Sequence, residues 1–126
     1  RTGTVSLKCA SDLVPGVEFP DEIGEYRRRS IESARADGLV YLQAYYVYQH
    51  QELVLQASTV REPGPLPIIF DETSTIEGIE IGFAERGAFF EVAEVGYSLS
   101  LDQSLTEEEV PGALRRLTSA FLASGG

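Results

Sequence analysis

His50 is the chain's single histidine, so a neutral-pH proton shuttle built on imidazole would have to use it. A hydrolytic triad places such a base beside a serine or cysteine and orients it with an acid. Ser58, Ser98 and Ser100 are available, yet none stands in a Gly-x-Ser-x-Gly turn that would present its hydroxyl for attack. His50 itself falls at the tip between two strand-like segments, the place of a solvated turn residue. Glu77, Glu80, Glu91 and Glu94 supply carboxylates for acid–base work, but their partial alternation with Ile79, Ile81, Val92 and Val95 is that of acids on the wet face of a sheet. Asp71, Glu72, Ser74 and Glu77 bring oxygen ligands close in sequence, without the glycine and spacing of a calcium loop. One cysteine and one histidine make neither an internal disulfide nor a usual zinc site. Gly78, Gly82, Gly87 and Gly96 are scattered through strands and turns and form no phosphate cradle. The expectation is a protein without catalytic residues, cofactor or metal.

Recognition is better represented. Tyr41, Tyr45, Tyr46 and Tyr48 occupy both faces of one strand-like segment. Tyrosine offers a large contact area at low entropic cost and is enriched at interfaces, and it can equally line an apolar pocket or fill a core. Arg27, Arg28 and Arg29 form the basic cluster, beside Asp21, Glu22, Glu25 and Glu32, which can neutralise it. Residues 64–126 hold 11 acidic and 3 basic side chains, against 9 and 7 in residues 1–63, so the second half is the face for a basic partner.

The elements that must position these residues follow from periodicity. Residues 2–10 alternate, with Val5, Leu7 and Cys9 on one face, and predict a first strand; residues 11–20 carry Pro15, Gly16 and Pro20 and predict a loop. Residues 21–37 predict a short helix, opened by Pro20 and an acidic first turn and supported by Glu25–Arg29 and Arg28–Glu32 pairs. Gly24 opposes that helix, and a turn followed by a strand near Tyr26–Ser33 competes with it. Leu39–Gln49 and Glu52–Arg61 predict a hairpin, with Val40, Leu42, Ala44, Tyr46 and Tyr48 on one face of its first strand and Tyr41, Tyr45 and Val47 on the other. Residues 61–67 are a proline-rich loop inside the domain. Residues 68–70 and 76–84 predict strands, 71–75 a turn, and 88–101 a long strand bent near Gly96. Thr106 and Glu109 match a capping box ahead of an apolar series at Val110, Leu114, Leu117 and Phe121, a closing helix.

These elements predict one α+β domain over residues 1–126. Its mostly antiparallel sheet has five or six strands, with the C-terminal helix packed on one face and a short N-terminal helix. At 13.8 kDa the chain is sized for one domain, and 43% hydrophobic residues suit a folded core. A net charge of −10 repels phosphate backbones and argues against nucleic acid as a partner. No apolar run reaches the roughly 20 residues of a membrane span. The absence of a starting methionine and of an intracellular catalytic signature favours an exported or periplasmic protein over a cytoplasmic one. Cys9 follows Lys8 rather than a small residue, which disfavours a lipid anchor there. The composite expectation is a non-catalytic accessory domain. It would bind another protein or a second copy of itself through Tyr41, Tyr45, Tyr46, Tyr48 and Arg27–Arg29, or through its acidic half. The alternative is a carrier of a small apolar ligand, with a pocket between sheet and helix.

Overall fold

Alternating apolar residues put about half of the described residues into strands. A computed structural model describes residues 2–36, 38–59, 70–84, 86–102 and 105–125. Along the chain run β1 (Thr2–Thr4), α1 (Leu7–Leu13), β2 (Glu22–Ile23), β3 (Tyr26–Ala36), β4 (Leu39–Tyr48), β5 (Gln51–Thr59), β6 (Glu72–Ile76), β7 (Ile79–Ala84), β8 (Gly87–Val92), β9 (Val95–Leu101) and α2 (Val110–Gly125). Eight strands form one antiparallel sheet in the order β1-β3-β4-β5-β9-β8-β7-β6, and β2 adds a ninth against β3. The α+β class, the antiparallel sheet and the C-terminal helix are as the sequence predicts; the strand count is higher than five or six.

The extra strands have identifiable origins. Residues 21–36, the described part of the expected helix 21–37, are not helical. Gly24 takes φ +59° in a tight turn, and β3 pairs with β1 and β2 on one side and β4 on the other. Helical side-chain pairs are worth a few tenths of a kcal/mol each, far less than these ladders and the apolar face they bury. The bent strand over 88–101 is instead a hairpin. Ala93 and Glu94 have φ of 51° and 68° and close a two-residue turn between Val92 and Val95. Asp71–Thr75 is not simply a turn, since β6 starts at Glu72 and the turn lies at Glu77–Gly78. The strand expected over 2–10 ends at Thr4. Ser6 then caps α1, its hydroxyl accepting from the Cys9 amide at 3.2 Å, so Cys9 lies exposed on a helix rather than in a strand. The proline-rich segment 61–67 and Ile68–Ile69 lie outside the described residues; Phe70 is described and is not in a strand.

One face of the sheet carries the core. Leu42, Ala44 and Tyr46 of β4, Leu53, Leu55 and Ala57 of β5, and Val95, Tyr97, Leu99 and Leu101 of β9 are buried on it. The capping box forms as the sequence predicts: the Glu109 amide donates to Thr106 Oγ1 at 3.3 Å, and the Thr106 amide to Glu109 Oε1 at 3.0 Å. α2 then lays Val110, Leu114, Leu117 and Phe121 onto β8, β9 and β2. Pro111 sits in the first turn, where its missing N–H is tolerated. Among the described residues no helix is long and apolar enough to cross a membrane.

An ion pair locks the β2–β3 turn to α2. Arg116 donates to Glu25 through both terminal nitrogens, the Nη2 bond measuring 2.9 Å. That hydrogen bond, opposed by partial burial, holds the Glu25 carboxyl below its ordinary value of 4.5. Its stabilisation is therefore complete above 4.5 and is lost as pH falls through the lowered folded-state value. Arg116→Met is expected to lower neutral-pH stability by up to about 1 kcal/mol and to flatten the loss of stability in that acid window by the same amount, as read from urea midpoints across the range.

Candidate functional site

Helices and the segment from Val14 to Ile23 cover the core face; α2 packs on that face, and among the described residues no helix lies on the other side of the sheet. Register defines that outer face. Gln43 pairs with Gln56, Gln56 with Ser98, Ser98 with Phe89, Phe89 with Gly82 and Gly82 with Thr73, one row crossing six strands. An antiparallel sheet with one wet face normally alternates apolar-in and polar-out. Here the outer row breaks that rule at Phe89.

A cleft of about 690 Å³ opens over this row, along β5, β9, β8, β7 and β6. Its aromatic floor is Phe89 and Phe70, with ring centroids 5.8 Å apart. Phe70 lies flat against Gly82, where a Cβ would stand only 2.6 Å from three of its ring atoms. Gly82 is thus a glycine of close approach, and any side chain there would lift the ring away. Gln56, Ser58, Ser98 and Thr73 supply hydrogen-bonding groups around the floor, and Glu80 and Glu91 stand exposed along the wall. A polar chain leads in from β4: Tyr45 Oη donates to Gln43 Oε1 at 3.0 Å, and Gln43 Nε2 donates to Gln56 Oε1 at 3.1 Å.

The seven residues singled out in the sequence do not share one surface. Tyr41 and Tyr45 are half-buried on the outer face beside the cleft. Desolvation, then the charges of Glu32 and Glu52, raise the Tyr45 hydroxyl pKa. Tyr46 points into the core, donating to the Pro20 carbonyl at 2.7 Å, with its pKa driven far up by burial. Tyr46 therefore props the segment before β2 and is not an exposed contact. Tyr48 is 37% exposed, its ring 5.9 Å from that of Tyr26. The arginines are engaged with neighbours: Arg27 with Glu22 at 3.8 Å, Arg28 with Asp21 at 3.1 Å and with the Phe19 carbonyl, and Arg29 with Glu52 at 3.2 Å.

His50 is exposed in the turn between β4 and β5. Ser58 lies at the far end of β5, about 25 Å away along extended chain, and Ser100, opposite Val54, about 13 Å away. The structure does not bring these serines to the histidine. Among the described residues no group of three or more His, Cys, Asp or Glu side chains is disposed to hold a metal ion.

The cleft residues Phe70, Phe89, Gly82, Gln56 and Ser98 were not candidates from sequence. Two signals could have found part of them. Phe89 and Phe90 are adjacent in a strand, so if one is core the other must face out. Gly82 interrupts an apolar strand, which signals close approach of another group. Comparison with protein-family models, curated proteins and solved structures finds no match for the chain.

Proposed function

We propose that this protein is a non-catalytic binding domain that receives a small, largely apolar molecule in the outer cleft of its sheet. One observation carries the reading: two phenylalanine rings, Phe70 and Phe89, floor a concavity of about 690 Å³ on a sheet face that α2 leaves uncovered. Ligand pockets span about 300–1,000 Å³ and combine an apolar lining with a few polar groups, as here. The site lies on the opposite side of the sheet from α2, not between sheet and helix.

A neutral polarity-sensitive dye such as Nile red, excited in the visible where no side chain absorbs, tests it. Saturable enhancement at one dye per chain is expected. Phe89→Ser should weaken it about 10–100-fold, the value of one buried aromatic contact, with the unfolding midpoint little changed. Non-saturable dye uptake, or equal affinity in Phe89→Ser, would overturn the reading.

A second reading keeps the same face but makes the occupant a protein. Tyr41, Tyr45, Val47 and Val54 are half-buried beside the cleft and extend its apolar surface across β4 and β5. Tyr45→Ala would then dissociate a homodimer or a complex with a second chain. Native mass spectrometry of protein from its own host separates the two, since a ligand adds a few hundred daltons and a partner adds a chain.

A further inference from the structure

We propose that the cleft selects an amphipathic organic cation: a flat apolar body seated on Phe70 and Phe89, with an ammonium-type head held at Glu80 and Glu91. This rests on the outer cleft being a ligand site and adds the charge of the ligand. Among the described residues the Asp, Glu, Lys, Arg or His side chains that line the cleft are Glu80 and Glu91. Strand parity puts the two carboxylates on the cleft face. Glu80 lies two residues from Gly82 on β7 and Glu91 two residues from Phe89 on β8, and both line the cleft. Two like charges on one cleft wall repel.

Several acids outside the cleft are matched by arginines. Glu22, Glu25, Glu52, Glu72 and Asp21 each pair with an arginine. Glu80 and Glu91 form no ion pair with a described residue. A cation between them would relieve their repulsion. The ring faces of Phe70 and Phe89 add to the preference, because the aromatic quadrupole attracts positive charge and leaves anions unrewarded. Two carboxylates are too few for a divalent-ion cage, whereas one ammonium beside an aromatic floor needs no more than they offer. The apolar floor and the acidic wall together define a molecule with a hydrophobic body and a positive end.

Matched ring systems test the charge directly. Naphthylmethylammonium and naphthoate present similar apolar bodies with opposite heads, and their affinities for the full chain are read by titration calorimetry. The ammonium is expected to bind about tenfold tighter than the carboxylate, from two attractions exchanged for two repulsions at a solvated rim. That ratio should shrink toward one as salt rises to about 0.5 M. Glu80→Gln/Glu91→Gln, with both substitutions on exposed positions, should abolish the ratio. Equal affinities in the wild type, or a ratio that survives the double substitution, would overturn charge selection while the neutral dye still reported a working cleft. Failure of all three probes to bind would instead overturn the cleft itself, and the charge proposal with it.

Discussion

Phe121→Ala is expected to cost about 3–5 kcal/mol, a large part of the 5–15 kcal/mol that holds an ordinary domain together. Phe121 is 3% exposed and is the residue through which the last turns of α2 grip the sheet. Its ring meets Tyr97 of β9 edge-on at 5.0 Å and Phe90 of β8 at 5.7 Å, while Phe90 and Tyr97 lie 5.5 Å apart. Truncation removes one corner of this triangle, forfeits its ring–ring geometry and leaves a cavity that two strands and a helix cannot easily close. Phe121→Leu, which fills most of the volume, should cost far less. Urea midpoints of the two variants check this. A midpoint unmoved in Phe121→Ala would mean that α2 does not pack where it is drawn. Because the cleft lies on the other face, the folded fraction of Phe121→Ala should still bind a neutral dye.

Gly24→Val is expected to cost about 2–4 kcal/mol, from left-handed strain and overpacking together. Gly24 has φ +59°, a region that β-branched residues avoid, and a Cβ there would stand 3.0 Å from Leu117 Cδ2. Leu117 is fully buried and has nowhere to retreat. Gly78→Val is the control: its φ is +80°, but no atom lies within 4 Å of its Cβ position, so it carries strain without a clash. The Tm of Gly24→Val should fall by roughly 10 °C, and that of Gly78→Val by clearly less. Equal losses would mean that the turn does not press on α2. The comparison also bears on Arg116 and Glu25, which clamp the same turn from the solvent side.

The tyrosine strand shows how far parity carries. Alternation over Leu39–Tyr48 divides Tyr46 from Tyr41 and Tyr45, and the structure keeps that division, with Leu42, Ala44 and Tyr46 buried. Parity does not say which face is the core, because both faces carry tyrosine. That choice is made by α2 and by the segment from Val14 to Ile23. The Tyr46 hydroxyl bonds Pro20, and the Glu18 amide donates to Tyr97 Oη at 3.0 Å, so loop and sheet fix each other. Segment 21–36 departs from its helical expectation for a related reason. Its charge pairs at helical spacing are real, but Arg28 reaches Asp21 and Arg29 reaches Glu52 across strands instead.

By itself the sequence determined what depends on nearest neighbours. The β4–β5 hairpin follows from period-two alternation, and α2 from an apolar stripe behind a Thr106–Glu109 capping box. The net charge of −10, from which the expectation against a nucleic-acid partner comes, is a property of composition. Tertiary structure alone decided that Glu22–Ile23 and Tyr26–Ala36 enter the sheet, that Ala93–Glu94 reverses the chain, and that Phe70, Gly82, Phe89 and Gln56 meet. The physical reason is range. A capping hydrogen bond spans three residues and is written locally, whereas the cleft exists only where five strands, drawn from residues 51 to 101, fall into register. Register is set by burial of the opposite face, so the site is assembled by a core in which its own outward-facing side chains take no part.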